Sequence, residues 1–375
     1  MKIKRFYGNL GKWIKEGKVL VIFGPRRAGK TTLLTDYLES CGFKHRLGSG
    51  DSIAVGEVFS SRDPRIILEY AGGYDLIALD EAQRIPGVGL GLKILADHNR
   101  TVRIIATGSS SFELAGQIGE PLTGRKTTIT LFPVAQCELL AMHNRQELRE
   151  RLGSFLTYGS YPEVLTEHTD IERRRILEEI ANSYLLKDIL ELDRVKNPKA
   201  LNDLLRLIAF QIGNEVSLNE LAAQVGLDRN TVSRYLDLLE KSFVLYNLRG
   251  YSRNLRKEVT KKSKYYFYDT GVRNAVIANF NGIAMRNDVG QLWENFLMIE
   301  RLKIRSYKEI WANPYFWRTW DQQEIDLVEE REGKLFGYEF AWGGKKKREP
   351  RGWRGTYAEA SYEVITPENY LDFIL

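Results

Sequence analysis

Cysteine is nearly absent. Cys41 and Cys137 are the two in 375 residues. They join no paired Cys/His cluster, which excludes a disulfide scaffold and a zinc site built on cysteine pairs. No run of 18 apolar residues occurs, so no membrane-spanning helix is expected. The opening stretch MKIKRFYGNLGKWIKEGK is basic but has no apolar core, and it does not read as a secretion signal. Internal repeats and low-complexity tails are lacking too. These absences lead to the expectation of a reduced, cytoplasmic setting.

What is present is an ordinary globular balance, 43% hydrophobic and 28% charged, in a chain long enough for two or three domains. The net charge is +6. A mild positive excess suits a nucleic-acid partner, and it also suits plain solubility.

The first 140 or so residues alternate short apolar runs with helical periods. Val19–Phe23, Leu76–Leu79 and Val102–Ala106 are rich in branched residues, and each is followed by small or polar ones. Buried parallel strands read this way, and strands alternating with helices predict a parallel sheet covered on both faces. From about Arg145 to Leu248 the apolar spacing is mainly helical. After Tyr251 strand-like and helix-like segments mix. The expected division is 1–140, 141–272 and 273–375.

One loop stands out. Gly24-Pro25-Arg26-Arg27-Ala28-Gly29-Lys30-Thr31 satisfies G-x-x-x-x-G-K-[ST] between an expected strand and a helical run, and Thr32 follows. Glycines let backbone N–H groups close around phosphate oxygens. The following helix offers its unpaired N–H groups and positive dipole end to the anion. Lys30 adds a point charge between the β- and γ-phosphates, and Thr31 offers a hydroxyl to Mg²⁺. Downstream, Leu76–Leu79 ends in Asp80 and Glu81. Asp80 can hold the Mg²⁺ shell and Glu81 can polarise an attacking water. The next strand ends in Thr107, Ser109 and Ser110, small hydroxyls that would lie beside the γ-phosphate or the water unless they form a simple turn. Arg125 precedes a further strand. It is either a structural arginine or, in a ring or head-to-tail oligomer, a finger reaching a neighbour's nucleotide.

GPRRAGKTTLL, DLIALDEAQRIP, IIATGSSSFELA, LTGR and LFPVAQCE, in this order, resemble the AAA+ ATPases of the archaeal–bacterial type with a C-terminal extension. LTYGSYPEVL, YLLKDILEL and KYYFYDTGVRNA resemble that family's extension, a domain of unknown function. The resemblance implies an ATP- and Mg²⁺-dependent protein that self-associates through its ATPase domain. It implies little about what the protein acts on.

SLNELAAQVGLDRNTVSRYLDLLEKSFVL predicts a helix-turn-helix. Ser217 and Glu220 form a capping signature. Leu218, Leu221, Ala222 and Val225 share one face, Gly226 turns the chain, and Asp228 caps a second helix with Val232, Leu236 and Leu239 inward. That leaves Arg229, Asn230, Ser233 and Arg234 outside near its start, where such a helix meets a DNA groove. The segment beyond reads as a wing, with Arg253, Arg256, Lys257, Lys261, Lys262 and Lys264 placed to grip phosphates. Winged helices also dock proteins, and both readings stand.

GQLWENFLMIERL, QEIDLV and GYEFAW follow as helix, strand, strand, an order that resembles the restriction-endonuclease-like fold. Glu294, Asp326 and Glu339 would then be its acids. The lysine expected two residues after the last acid is replaced by Ala341, while Lys345 and Lys346 lie nearby. A cleaving site, a degenerate fold used for binding, and an unrelated α+β fold all remain open. Lys345, Lys346, Lys347, Arg348, Arg351 and Arg354, near Trp342 and Trp353, add a basic, aromatic surface suited to nucleic acid.

The fold class expected is thus an α/β P-loop (AAA+) parallel-sheet domain, a helical winged-helix domain and a small α+β, endonuclease-like domain. The expected function is Mg²⁺-dependent ATP hydrolysis coupled to DNA binding. The alternatives are a nucleotide switch docking protein partners and a DNA-cleaving effector.

Overall fold

The computed structural model describes residues 3–109, 122–184, 195, 197–251, 263–319, 321–343 and 347–375. The N-terminal part is built on five strands: β1 Val19–Phe23, β2 His45–Ser49, β3 Leu76–Asp80, β4 Arg103–Gly108 and β5 Lys126–Thr130. All are parallel, in the order β2-β3-β4-β1-β5. β1 lies between two neighbours and is buried throughout, which is why it reads as an unbroken apolar run. Its side chains alternate between two cores. Val19, Val21 and Phe23 pack with α2 Ile53–Ser60, α3 Pro64–Ala71 and α4 Val88–His98, while Leu20 and Ile22 meet α1 Lys30–Ser40. The expected two-faced α/β layering is therefore present.

The carboxyl ends of β1, β3 and β4 lie on one rim. In open α/β sheets that rim is where ligands bind.

Helices then dominate: α5 Gln136–Leu139, α6 Arg145–Glu150, α7 Leu152–Tyr158, α8 Pro162–Thr166, α9 Asp170–Glu179 and α10 Pro198–Phe210. Next come β6 Glu215–Val216, α11 Leu218–Val225, α12 Arg229–Lys241, β7 Leu245–Gly250 and β8 Ser263–Phe267. The remainder is α13 Thr270–Val276, α14 Val289–Tyr307, β9 Asn313–Arg318, β10 Glu324–Arg331, β11 Lys334–Phe340, α15 Arg351–Thr356, β12 Ser361–Ile365 and α16 Tyr370–Ile374.

One seven-stranded mixed sheet, β12-β11-β10-β9-β7-β8-β6, runs through this whole region. β7 pairs in parallel with β9 through Arg249 opposite Tyr315 and Gly250 opposite Phe316. One apolar core likewise joins Leu204, Leu236 and Tyr266 to Trp293, Leu327 and Tyr370. The expected boundary at 272/273 thus falls inside a shared sheet and a shared core.

The N-terminal segment ties this region to the first sheet. Phe6 stacks on Tyr307 at the end of α14, with centroids 4.6 Å apart. Among the described residues no helix is long and apolar enough to cross a membrane.

Candidate functional site

The loop from Gly24 to Gly29 leaves β1 and enters α1. Gly24 has φ +149°, and a Cβ there would lie 2.1 Å from the Leu131 carbonyl oxygen, so only glycine fits. Gly29, at φ +94°, is the N-cap of α1 and makes no side-chain cap bond. Gly29 thus brings no side-chain acceptor of its own to the first-turn N–H groups of α1. An anion is the acceptor that such an end suits. Lys30 is 5% exposed, and its Nζ donates to the carbonyls of Gly24 (2.8 Å) and Pro25 (2.9 Å). Its charge is thereby held over the loop.

The loop is braced from outside. The Arg5 guanidinium donates to the carbonyls of Ala28 and Phe132 and pairs with Glu138 at 3.0 Å. Arg27, with φ +59°, pairs with Glu163 of α8 (3.0 Å) and Glu179 of α9 (2.7 Å). Arg26 is partly buried beside it.

Asp80 ends β3. Its carboxylate accepts from the Thr31 hydroxyl at 2.8 Å and, on its other oxygen, from the Thr107 hydroxyl of β4. Thr107 in turn accepts the Glu81 backbone N–H at 3.1 Å. Parallel pairing of β1, β4 and β3 brings these three elements together. The Thr31 hydroxyl and the Asp80 carboxylate are hard oxygen donors side by side. Mg²⁺ takes one or two such protein oxygens and completes its shell from phosphates and water. The residues present fit both ATP phosphates and the metal.

Glu81 has φ +49°, an uncommon conformation for a non-glycine residue. That turn carries it off the strand axis. Gln83, 7% exposed, donates to the Glu81 carboxylate (2.6 Å) and to the Ser109 hydroxyl (3.1 Å). Ser110 lies outside the described residues.

Arg125 sits elsewhere. Its carbonyl accepts the N–H of Val19, the first residue of β1, so it occupies the rim opposite the phosphate loop. Its side chain is 43% exposed and pairs with Asp97. Five residues of strand, about 16 Å at 3.3 Å each, separate it from its own loop.

In the second region Ser217 caps α11 and Asp228 caps α12, the latter accepting from the Thr231 N–H at 2.9 Å. Gly226 turns the chain at φ +66°. Arg229, Asn230, Ser233 and Arg234 are exposed on α12, while Val232, Leu236 and Leu239 are buried. β7 and β8 form an antiparallel pair. Arg253, Arg256, Lys257, Lys261 and Lys262 lie outside the described residues.

The third group gathers around two lysines. Lys264, from β8, lies 3.4 Å from Glu294 of α14 and pairs with Glu324 of β10. Tyr266, on the same strand face, donates to Glu294 at 2.7 Å. Lys347 pairs with Glu339 of β11 and lies 4.0 Å from Asp326. Asp326 also accepts the Phe340 N–H at 2.8 Å. Burial, with Asp326 nearby, pushes Glu294 and Glu339 each up to about 7, and burial raises Asp326 as well. The three acids do converge, but on lysines. Among the described residues no set of three His, Cys, Asp or Glu side chains is disposed to hold a metal ion. Lys345 and Lys346 lie outside the described residues.

Sequence reasoning missed Arg5, Gln83 and the pairing role of Lys264 and Lys347. Gln83 stands two residues after Glu81, so proximity was its signal. Lys264 and Tyr266 share a strand face by their spacing of two. Arg5 and Lys347 carry no local signal, because their partners are distant in sequence or across a turn.

Residues 16–140 match the family described as AAA domain, and residues 149–282 and 289–368 match two domains of unknown function (DUF8612 and DUF4143). An uncharacterized protein of Mycobacterium tuberculosis is 28% identical, over 88% of this chain and 71% of its own. One from Haemophilus influenzae is 25% identical, over 86% and 82%. Another, from Methanocaldococcus jannaschii, is 24% identical, over 78% and 68%. The phosphate loop, Asp80 bonded to Thr31, and the five-stranded parallel sheet all fall within residues 16–140, the part of the chain that is similar to the AAA-domain family, and the two matches to domains of unknown function follow it.

Proposed function

We propose that this protein is a Mg²⁺-dependent ATPase that binds DNA through its extension. The observation that carries the first half is the connection Thr31–Asp80–Thr107–Glu81 at the mouth of the phosphate loop. The amides after Gly29 and the Lys30 ammonium bind and orient the phosphates. Mg²⁺, held beside Thr31 and Asp80, supplies neutralisation of the phosphate charge. Glu81 orients a water and takes its proton, which makes that water a better nucleophile. Ser109, fixed to Gln83, lies by that carboxylate and can orient the same water or the γ-phosphate.

Arg125 belongs to a neighbour's site in this reading. It stands on the far rim and is half-exposed, as a residue working across a head-to-tail contact must be. Homo-oligomers would then complete each site. Subunits carrying Arg125→Ala, mixed with subunits carrying Glu81→Gln, should regain part of the activity that each lacks.

For DNA, the support is the exposed set Arg229, Asn230, Ser233 and Arg234 near the start of α12, on a capped helix-turn-helix followed by an antiparallel pair. We read this as a winged helix whose second helix enters the major groove. Arg256, Lys257, Lys261 and Lys262 would meet backbone phosphates. The fold around α14, β9–β11, α15 and β12 is read as endonuclease-like but used for binding, since Lys264 and Lys347 already neutralise its acids. Gel-shift titration with duplex DNA should give binding that weakens steeply with salt. Absence of binding even at low salt would refute the DNA half. Plasmid incubated with Mg²⁺ should stay intact in both the natural protein and Asp326→Ala.

A second reading is a nucleotide switch that docks protein partners. Arg27 favours it, because a phosphate-loop side chain is ion-paired directly to α8 and α9 of the extension. ATP turnover stimulated by DNA favours the first reading, and turnover indifferent to DNA favours the second.

A further inference from the structure

We infer that Gln83 is the positioning residue for Glu81, fixing the direction in which that carboxylate faces the attacking water. The inference rests on the ATPase reading above.

Three features of the molecule lead there. Asp80 is the last residue of β3, so strand pairing no longer holds Glu81. Its backbone at φ +49° turns it away from the strand line. A carboxylate on such a turn needs an external tie to keep one orientation. The tie comes two residues on, where a short turn at Ala82–Arg84 brings the Gln83 side chain back. Gln83 spends both hydrogens of one amide nitrogen, one on Glu81 at 2.6 Å and one on Ser109 at 3.1 Å. Glu81 is thereby fastened to the end of β4, the strand whose Thr107 also holds Asp80.

The orientation of this amide follows from chemistry. Flipped, its oxygen would face a carboxylate oxygen, acceptor against acceptor. In the orientation present, Gln83 Oε1 is buried and has no hydrogen-bond partner among the described residues. A buried acceptor left unpaired is uncommon, and it marks a group whose placement answers to something besides stability. Here that something is the Glu81 carboxylate. Catalytic groups lose rate steeply when shifted by about 1 Å, so a residue that only orients the base controls kcat without touching ATP.

The chemical step is unchanged by this role. The water oxygen bonds to the γ-phosphorus, and its proton passes to Glu81. The bond from the γ-phosphorus to the bridging oxygen breaks, its electron pair leaving with ADP. Gln83 forms and breaks no covalent bond.

The test uses the full chain in steady-state ATP hydrolysis, calorimetric ATP binding and thermal unfolding. Gln83→Met keeps the volume and loses the donor, and Gln83→Ala loses both. In each, kcat should fall by about 10- to 100-fold, the range for residues that orient a reactive group. KM and ATP affinity should stay within about threefold of the natural protein, a window well under one decade of binding. The Glu81→Gln and Gln83→Met double variant should be no slower than Glu81→Gln alone, because the second residue acts through the first. A packing role predicts otherwise: Gln83→Met would keep kcat, or the two losses would multiply. Either result overturns the inference, as does a rise in kcat. If the natural protein binds ATP without hydrolysing it, the ATPase reading fails first and this role fails with it. If it hydrolyses ATP and Gln83→Met is unaffected, the role alone fails.

Discussion

The phosphate loop and the lysine–carboxylate group of the C-terminal region both concentrate charge, and they do so in opposite ways. At the loop, Gly29 caps α1 without a side-chain acceptor, and Lys30 donates to the carbonyls of Gly24 and Pro25. Positive charge and helix start lie together there, an arrangement suited to an anion. In the C-terminal group, Glu294 and Glu324 meet Lys264, and Glu339 meets Lys347. Those charges answer one another. A glycine-capped helix start beside a buried lysine suits a ligand, whereas a compensated cluster of acids and lysines serves first to hold strands and a helix together.

The comparison can be broken most forcefully at Lys30. Lys30→Ala should abolish measurable ATP binding and turnover in calorimetry and phosphate-release assays, because it removes the buried ammonium held over the Gly24 and Pro25 carbonyls. Glu81→Gln comes next. It should bind ATP like the natural protein and hydrolyse it about 10²–10⁴-fold more slowly, the usual weight of a general base. Normal turnover in that variant would refute its assignment.

On the other side, Lys264→Met should leave Glu294 and Glu324 buried or half-buried without their cation. Unfolding by denaturant should become easier by about 3–5 kcal/mol, the cost of breaking a buried pair from one side. ATP affinity measured on the folded fraction should not change.

The smallest effect concerns pH. Glu294 and Glu339 are held at about 7 in the folded chain, against ordinary values of 4.5. Between those pH values the folded chain keeps protons that the unfolded chain has lost. Their effect on stability is therefore absent below about pH 4.5, turns increasingly unfavourable as pH rises toward 7, and stays level above it. Glu339→Gln should flatten that decline, gaining about 1–2 kcal/mol relative to the natural protein between pH 5 and pH 8. A parallel pH profile for the two proteins would contradict it.

The parts legible in the sequence were those written locally. The phosphate loop is eight consecutive residues, Asp80 and Glu81 adjoin an apolar run, and the caps of α11 and α12 lie three residues from their partners. β2 carries a weak local signal because His45–Ser49 is a polar edge strand with a single buried residue, Leu47 being exposed. The shared sheet across 272/273 was invisible for a different reason. It depends on β7 meeting β9, a pairing of Arg249 with Tyr315 that no nearby residue announces. Lys347 was unreadable in the same way: its run of basic residues looks like any solvated loop, and its pairing with Glu339 shows only in three dimensions.

The most direct measurement is calorimetric titration of ATP, with Mg²⁺ present, into the natural protein and into Lys30→Ala. A loop built to receive a triphosphate predicts saturable binding to the first and none to the second. No heat of binding in either protein, or equal affinity in both, would contradict it.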